Sequence, residues 1–377
     1  MPVRRHESLV FTIVVSLIAA LAAIPIALVT ALSGEGPSVV LAAIFALVPV
    51  GPLIACYLWL DRYEPEPKTL LALGLAWGAF VATFLALVVQ GVGGFVGGWS
   101  NEASLAIVAP LSEEFTKGLF LVLLLVWRRQ EFDGILDGIV YAGMVGIGFA
   151  FTENILYLTA AYNGTEGGAP GGLPGLGATF VVRCIVSPFA HPLFTAMTGI
   201  GIGLAVSSRS TAVRILGPVV GYALAVGLHA AWNGSTLLAN GAGFFGVYLL
   251  VMIPVFVLLV VLAVWTRTRE RDLLARALQD AAARGLIAPQ DIPHVVDLRA
   301  RRQARAFARA RGGARGAQAM RDYQQAAVEL GYLHHRVLRG TAPRNFAQRG
   351  QAFVERMHAV RPLIAFPTPI PAGGRHR

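Results

Sequence analysis

About eight apolar runs, each near or above the ~20 residues that cross a bilayer as a helix, dominate this chain. They lie near 9–32, 39–60, 69–96, 103–127, 135–160, 178–206, 213–238 and 244–266. A backbone in hydrocarbon must satisfy its own hydrogen bonds, so such runs fold as helices packed on one another. Only 14% of the residues are charged, against about 25% in an ordinary soluble domain. The fold class is therefore all-α, a polytopic membrane helical bundle of about eight transmembrane helices, and the localisation is the cell membrane, multi-pass. The first run is too long for a signal-peptide core and lacks a small-residue cleavage site, so it reads as a retained anchor.

Loop charge orients the bundle, because Lys and Arg stay cytoplasmic. With Arg4 and Arg5 inside, the inner loops carry Arg62, Lys68, Arg128, Arg129, Arg209 and Arg214. The alternate loops, near 33–38, 97–102, 161–177 and 239–243, contain neither Lys nor Arg. The topology is N-in and C-in. Two domains follow: residues 1–266 in the membrane, and a basic tail, 267–377, in the cytoplasm. The tail holds 21 Arg against 8 acids, a net +13, which leaves −3 for the rest of the +10 chain. Such a surface suits anionic lipid at about 1 kcal/mol per basic residue, and it carries no nucleic-acid motif. Helices are expected over 267–284, stopped by Gly285, and over 320–338, with a break at Gly312–Gly313 and disorder from Pro362 to Arg377. His334 and His335 read as solvated surface. Cys56 and Cys184 fall at opposite ends of their spans and do not pair. The Gly tract 91–98 ends the third run, and the Gly/Pro-rich stretch from Asn163 to Gly177 reads as an irregular loop.

Against this background Glu113, Glu114, Glu153, His191 and His229 stand out, because they sit deep in four of the apolar runs. A charged side chain at the bilayer centre costs about 2.5–3.5 kcal/mol on insertion scales, so such residues face the bundle interior and work there. At 1.5 Å per residue they lie roughly 15 Å (Glu113), 10 Å (Glu153), 20 Å (His191) and 13 Å (His229) below the outer surface. These depths coincide within a core ~30 Å thick. Lys117 lies four residues from Glu113 and shares its face, so it can neutralise one carboxylate and leave the other as a base. Asn154 adjoins Glu153, and Asn233 lies four residues after His229, where both can point at one developing oxyanion. Two imidazoles and a carboxylate, His191, His229 and Glu153, can hold zinc with an open fourth position. A metal-free glutamate mechanism is equally writable. Buried acids also suit a proton- or ion-coupled transporter, although no internal repeat appears and the cluster lies toward one leaflet. A non-catalytic scaffold leaves the acids unexplained.

The ordered motifs Asp61–Arg62–Tyr63–Glu64–Pro65–Glu66–Pro67, Glu113–Glu114–Phe115–Thr116–Lys117, Phe151–Thr152–Glu153–Asn154, His191 and His229–Ala230–Ala231–Trp232–Asn233 resemble the PrsW family of intramembrane proteases. That family looks related to the CAAX prenyl endopeptidase superfamily. The resemblance covers roughly residues 40–240 and leaves out the tail. It implies a hydrolase that cuts membrane-anchored protein substrates such as anti-sigma factors on the extracytoplasmic side. It also implies that Glu113, Glu114, Glu153, His191 and His229 act, with Lys117, Asn154 and Asn233 in support. The wider superfamily offers His in its second motif, where this chain has Glu153. No His-Glu-x-x-His helix is present.

Overall fold

The computed structural model describes residues 2–165, 170–340 and 342–367, and all regular structure among them is helical. Residues 368–377, part of the stretch expected to be disordered, lie outside the described residues. Among the described residues, seven helices are long and apolar enough to cross a membrane: α1 (Leu9–Leu32), α2 (Gly36–Leu60), α3 (Lys68–Gly97), α5 (Ile135–Asn163), α6 (Gly172–Ser207), α7 (Thr211–Ser235) and α8 (Gly243–Ala283). The eighth expected span, α4 (Ala109–Trp127), is formed but fails on composition, because Glu113, Glu114 and Lys117 sit together in it. The expected loop between α5 and α6 is shorter than its Gly and Pro content implied. The helix starts at Gly172 and takes Pro174 into its first turn, where the missing N–H costs no hydrogen bond. As expected, α3 ends in the glycine tract, with Gly98 in the left-handed conformation. Cys56 and Cys184 are both free thiols.

The chain divides into two compact units, Met1–Asp61 with Pro65–Val264, and Arg62–Glu64 with Trp265–Arg377. In the first unit α5 is the central helix. Its apolar window is 83% buried, against at most 50% for any other span. Glycines allow this. A methyl group at Gly138 would stand 2.1 Å from the Gly199 carbonyl oxygen of α6, and one at Gly148 would stand 1.9 Å from the Leu75 oxygen of α3. With little hydrophobic drive between helices in lipid, close backbone approach of this kind supplies the packing. α3 contains a π-helical turn, Trp77–Ala82, and threonines of its neighbours bond to that turn. Thr152 Oγ1 donates to the Ala79 carbonyl at 2.7 Å, and the Thr116 hydroxyl shares its proton between the carbonyls of Glu113 at 3.0 Å and Ala82 at 3.2 Å. α4 and α5 are thus tied to α3 at fixed heights.

The loop between α2 and α3 is anchored by two buried acids. Asp61 Oδ2 accepts from the Glu66 amide at 2.9 Å, and Glu66 Oε2 accepts from the Tyr141 hydroxyl at 2.5 Å. Burial pushes the Asp61 carboxyl up to about 8, only partly offset by the Glu66 amide, and Glu66 moves in the same direction.

The second unit has its own core, built from Leu274, Leu278, Val295, Met320, Phe353 and Met357. Its helices are the end of α8, α9 (Leu298–Leu338) and α10 (Phe346–Val360). Gly285 turns the chain out of α8 with φ +74, and Gly312 and Gly313 kink α9, as their positions implied. His334 corrects the sequence reading. It is buried, with Nε2 2.5 Å from Asp280 Oδ2, because α9 packs this face against the end of α8.

Because the Asp61 pKa is raised from 3.8, its contribution to stability is complete below pH 4, declines as pH rises, and is gone above pH ~8. The melting temperature of the detergent-purified protein is expected to fall from pH 5 to pH 8, and by less in Asp61→Asn. An identical fall in both proteins would contradict the assignment.

Candidate active site

α4 presents Glu113, Glu114 and Lys117 on one buried face. Spacings of three and four put both carboxylates within reach of one ammonium. Lys117 Nζ donates to Glu114 Oε1 at 2.8 Å and lies 3.5 Å from Glu113 Oε2. It also donates to His191 Nδ1 at 3.0 Å and sits 3.7 Å from the centre of the Phe149 ring. Its side chain has no solvent exposure. α6 supplies the imidazole because it breaks after the π-helical turn Val181–Val186 and restarts at Ala190. The His191 ring bridges Lys117 and Glu153, with Nε2 2.6 Å from Glu153 Oε2.

The two carboxylates of α4 differ in their surroundings. Glu114 is saturated: Oε1 accepts from Lys117 and from His229 Nδ1 at 2.9 Å, and Oε2 accepts from Thr195 Oγ1 at 3.0 Å. Glu113 is held more loosely, with Gln90 Nε2 3.3 Å from Oε1 and His229 Nε2 3.7 Å from Oε2. Glu113 also lines a cavity of about 350 Å³, together with Gln90, Asn101, Ser104, Glu153 and Asn233. Glu114 does not. A neutral His229 that donates from Nδ1 to a carboxylate carries its lone pair on Nε2, turned toward Glu113.

The structure brings together all five candidate acids and imidazoles, with Lys117. Asn233 reaches the cavity wall, and its Nδ2 donates to the Leu105 carbonyl at 3.0 Å. Asn154 turns aside, its Oδ1 accepting from Arg183 Nε at 2.8 Å. Sequence reasoning passed over Gln90, Thr195 and the role of Arg183. Arg183 is a lone cation in an apolar run, and Thr195 lies four residues after His191, so both carried a signal of the kind that marked the others.

Metal-ligand reach also differs from the sequence expectation. Glu113, His191 and His229 each offer one ligand atom, all within 4.8 Å of one another. Glu153 lies one hydrogen bond outside this trio, occupied by His191 and Arg183. A His₂Glu donor set with an open fourth position fits a catalytic zinc. The Glu114–His229 bond is of the kind that orients a ligating imidazole. The residues therefore fit a metal, and His191 would release Lys117 to ligate through Nδ1.

The site is thus a cluster of glutamates and two histidines inside a helical bundle, beside a cavity that only one of the two glutamates on α4 lines. Residues 66–259 match the PrsW family intramembrane metalloproteases, and the chain belongs to that family. It is similar to the Protease PrsW of Geobacillus kaustophilus strain HTA426, 34% identical over 165 residues, which is 43% of this chain and 66% of the relative. It is also similar to that of Oceanobacillus iheyensis, 30% identical over 162 residues (43% and 65%), and that of Clostridioides difficile strain 630, 31% identical over 118 residues (30% and 49%). The chain spans just under two thirds of the length of the first two of these curated relatives. No solved structure matches. Nothing in these comparisons supports the transporter alternative.

Thr195→Val is expected to lower stability by about 1–3 kcal/mol, because it leaves Glu114 Oε2 without its donor in a dry site. Thermal unfolding in detergent checks this, and an unchanged midpoint would contradict it.

Proposed function

We propose that this chain is an intramembrane endopeptidase that hydrolyses a peptide bond of a membrane-anchored protein substrate, with Glu113 as the carboxylate that takes the proton from water. The observation that carries this reading is the asymmetry of the glutamate pair. Glu114 is saturated by Lys117, His229 and Thr195, whereas Glu113 opens on the polar cavity. A general base must reach its water, and Glu113 lies on the cavity wall. Lys117 carries one compensating positive charge for two carboxylates. Asn233 and Gln90, which line the same cavity, would bond the substrate carbonyl as charge develops on its oxygen. A divalent metal, if held by Glu113, His191 and His229, would instead supply the activation by polarising that carbonyl and acidifying a water, and Glu113 would then serve as ligand rather than base.

The substrate class is read as membrane-anchored, anti-sigma-factor-like proteins cut on the extracytoplasmic side, a site-1 type of cleavage. The tail, 267–377, is read as a cytoplasmic unit attracted to anionic lipid and dispensable for the chemistry. Both readings follow from the family resemblance and the charge distribution.

Two experiments test the function. Glu113→Gln keeps shape and loses the basic oxygen. It should cut turnover of a quenched single-span reporter, chosen by screening with wild-type protein, by about 10²-fold or more while leaving the melting temperature within a few degrees. Near wild-type turnover would remove Glu113 from the mechanism. For the metal, elemental analysis of active protein is expected to find stoichiometric zinc. Chelation should remove zinc and activity together, and His229→Ala should not retain the ion. Full activity in metal-free protein would reject metal assistance and leave the carboxylate mechanism standing.

A further inference from the structure

Arg183 has no part in the hydrolytic scheme above, yet it touches two residues that line the cavity, Glu153 and Tyr157. Its guanidinium meets three residues of α5 at once. Nη2 contacts Glu153 Oε2, Nε donates to Asn154 Oδ1 at 2.8 Å, and the plane lies 3.9 Å from the centre of the Tyr157 ring. A planar fork can hold a carboxylate and an amide together while stacking on an aromatic face, which a lysine ammonium cannot do. Arg183 lies in the π-helical turn Val181–Val186, and His191 lies beyond the break in α6. The same oxygen, Glu153 Oε2, accepts from both of them. One carboxylate therefore bridges the two halves of a broken helix.

The consequence falls on His191. A carboxylate that faces a guanidinium is an acceptor only, so His191 Nε2 is the donor at 2.6 Å. In the neutral ring Nδ1 is then the lone-pair nitrogen, and it faces Lys117 Nζ at 3.0 Å. Without Arg183, Glu153 can turn away, and the ring can rotate or exchange tautomers.

We propose that Arg183 is a positioning residue that acts through Glu153 to fix the orientation and tautomer of His191, with Glu153 serving as a structural anion rather than a water-activating group. This rests on the endopeptidase reading above.

The test compares Arg183→Gln, Arg183→Lys and Glu113→Gln in the full chain. The screened single-span reporter gives kcat and KM, and ¹⁵N-histidine spectra are recorded with the His191 signal identified from His191→Gln. Arg183→Gln is expected to lose about 10- to 100-fold in kcat with KM held within about threefold, the range seen when a group orienting an active-site histidine is removed. Its His191 spectrum should lose the fixed Nε2–H pattern. A kcat within about twofold of wild type, or an unchanged His191 spectrum, would overturn the proposal. Should Arg183→Gln not be recovered as folded protein, Arg183→Lys decides alone. It keeps the charge but not the fork, so a loss of about 10-fold in kcat supports the proposal and an unchanged kcat overturns it. The spectrum requires no turnover, so the two readings fail separately: an active Glu113→Gln would remove Glu113 as the base, and wild-type protein that cuts no reporter would sink the endopeptidase reading, whatever the His191 spectrum of Arg183→Gln shows.

Discussion

A single ammonium group, Lys117 Nζ, holds the centre of the membrane unit together. It is wholly buried, yet it lies within 3.5 Å of Glu113, Glu114 and His191 and rests on the ring of Phe149. These groups come from α4, α5 and α6, and Glu114 extends the network to His229 of α7. Removing one member of a buried charge pair typically costs about 3–5 kcal/mol, because the partner is left without compensation. The arrangement also leaves a remainder. Two carboxylates and one ammonium carry a net negative charge, which a proton or a divalent cation satisfies. That unbalanced charge, at a cavity edge, is the chemical resource of the site.

Distances this short require the helices to approach closely. Glycines on α5 provide that approach on two sides, Gly148 against α3 and Gly138 against α6. Gly146 is the most telling, since a methyl group there would stand 2.7 Å from Pro192, the residue after His191. The height of the imidazole is therefore set by bare backbone contact. Threonines bonded to the π-helical turn of α3 fix α4 and α5 against sliding. Packing and hydrogen bonding converge on one layer of the bundle.

Much of this was legible in the sequence. Ionisable residues in apolar runs are costly enough that their presence marks an interior site, and the rise per residue put Glu113, Glu153, His191 and His229 in one layer. Gly285 and Gly313 take positive φ, which few other residues adopt, and with Gly312 they marked the breaks in the tail. Side-chain direction was not legible. Helical spacing says that Glu113 and Glu114 are both near Lys117, but not which one meets the cavity. Glu153 and Glu113 lie at similar depths, and only the rotation of α5 and the presence of Arg183 separate their partners. His334 looked solvated because it adjoins another His in a charged stretch, and its burial depends on α9 packing against α8. The α6 start at Gly172 was hidden by Gly and Pro, which mark loops elsewhere but are tolerated in a first turn.

The dependence of the bundle on the Lys117–Glu114 pair is best measured by a double-mutant cycle. It compares the unfolding free energies of wild type, Lys117→Met, Glu114→Gln and the double variant in one detergent. Each single change is expected to be costly and the double variant to lose clearly less than their sum, with a coupling of about 2–3 kcal/mol for groups in direct contact. Losses that add to within about 0.5 kcal/mol would show that the two residues do not depend on each other. The network described here would then not be what holds the site.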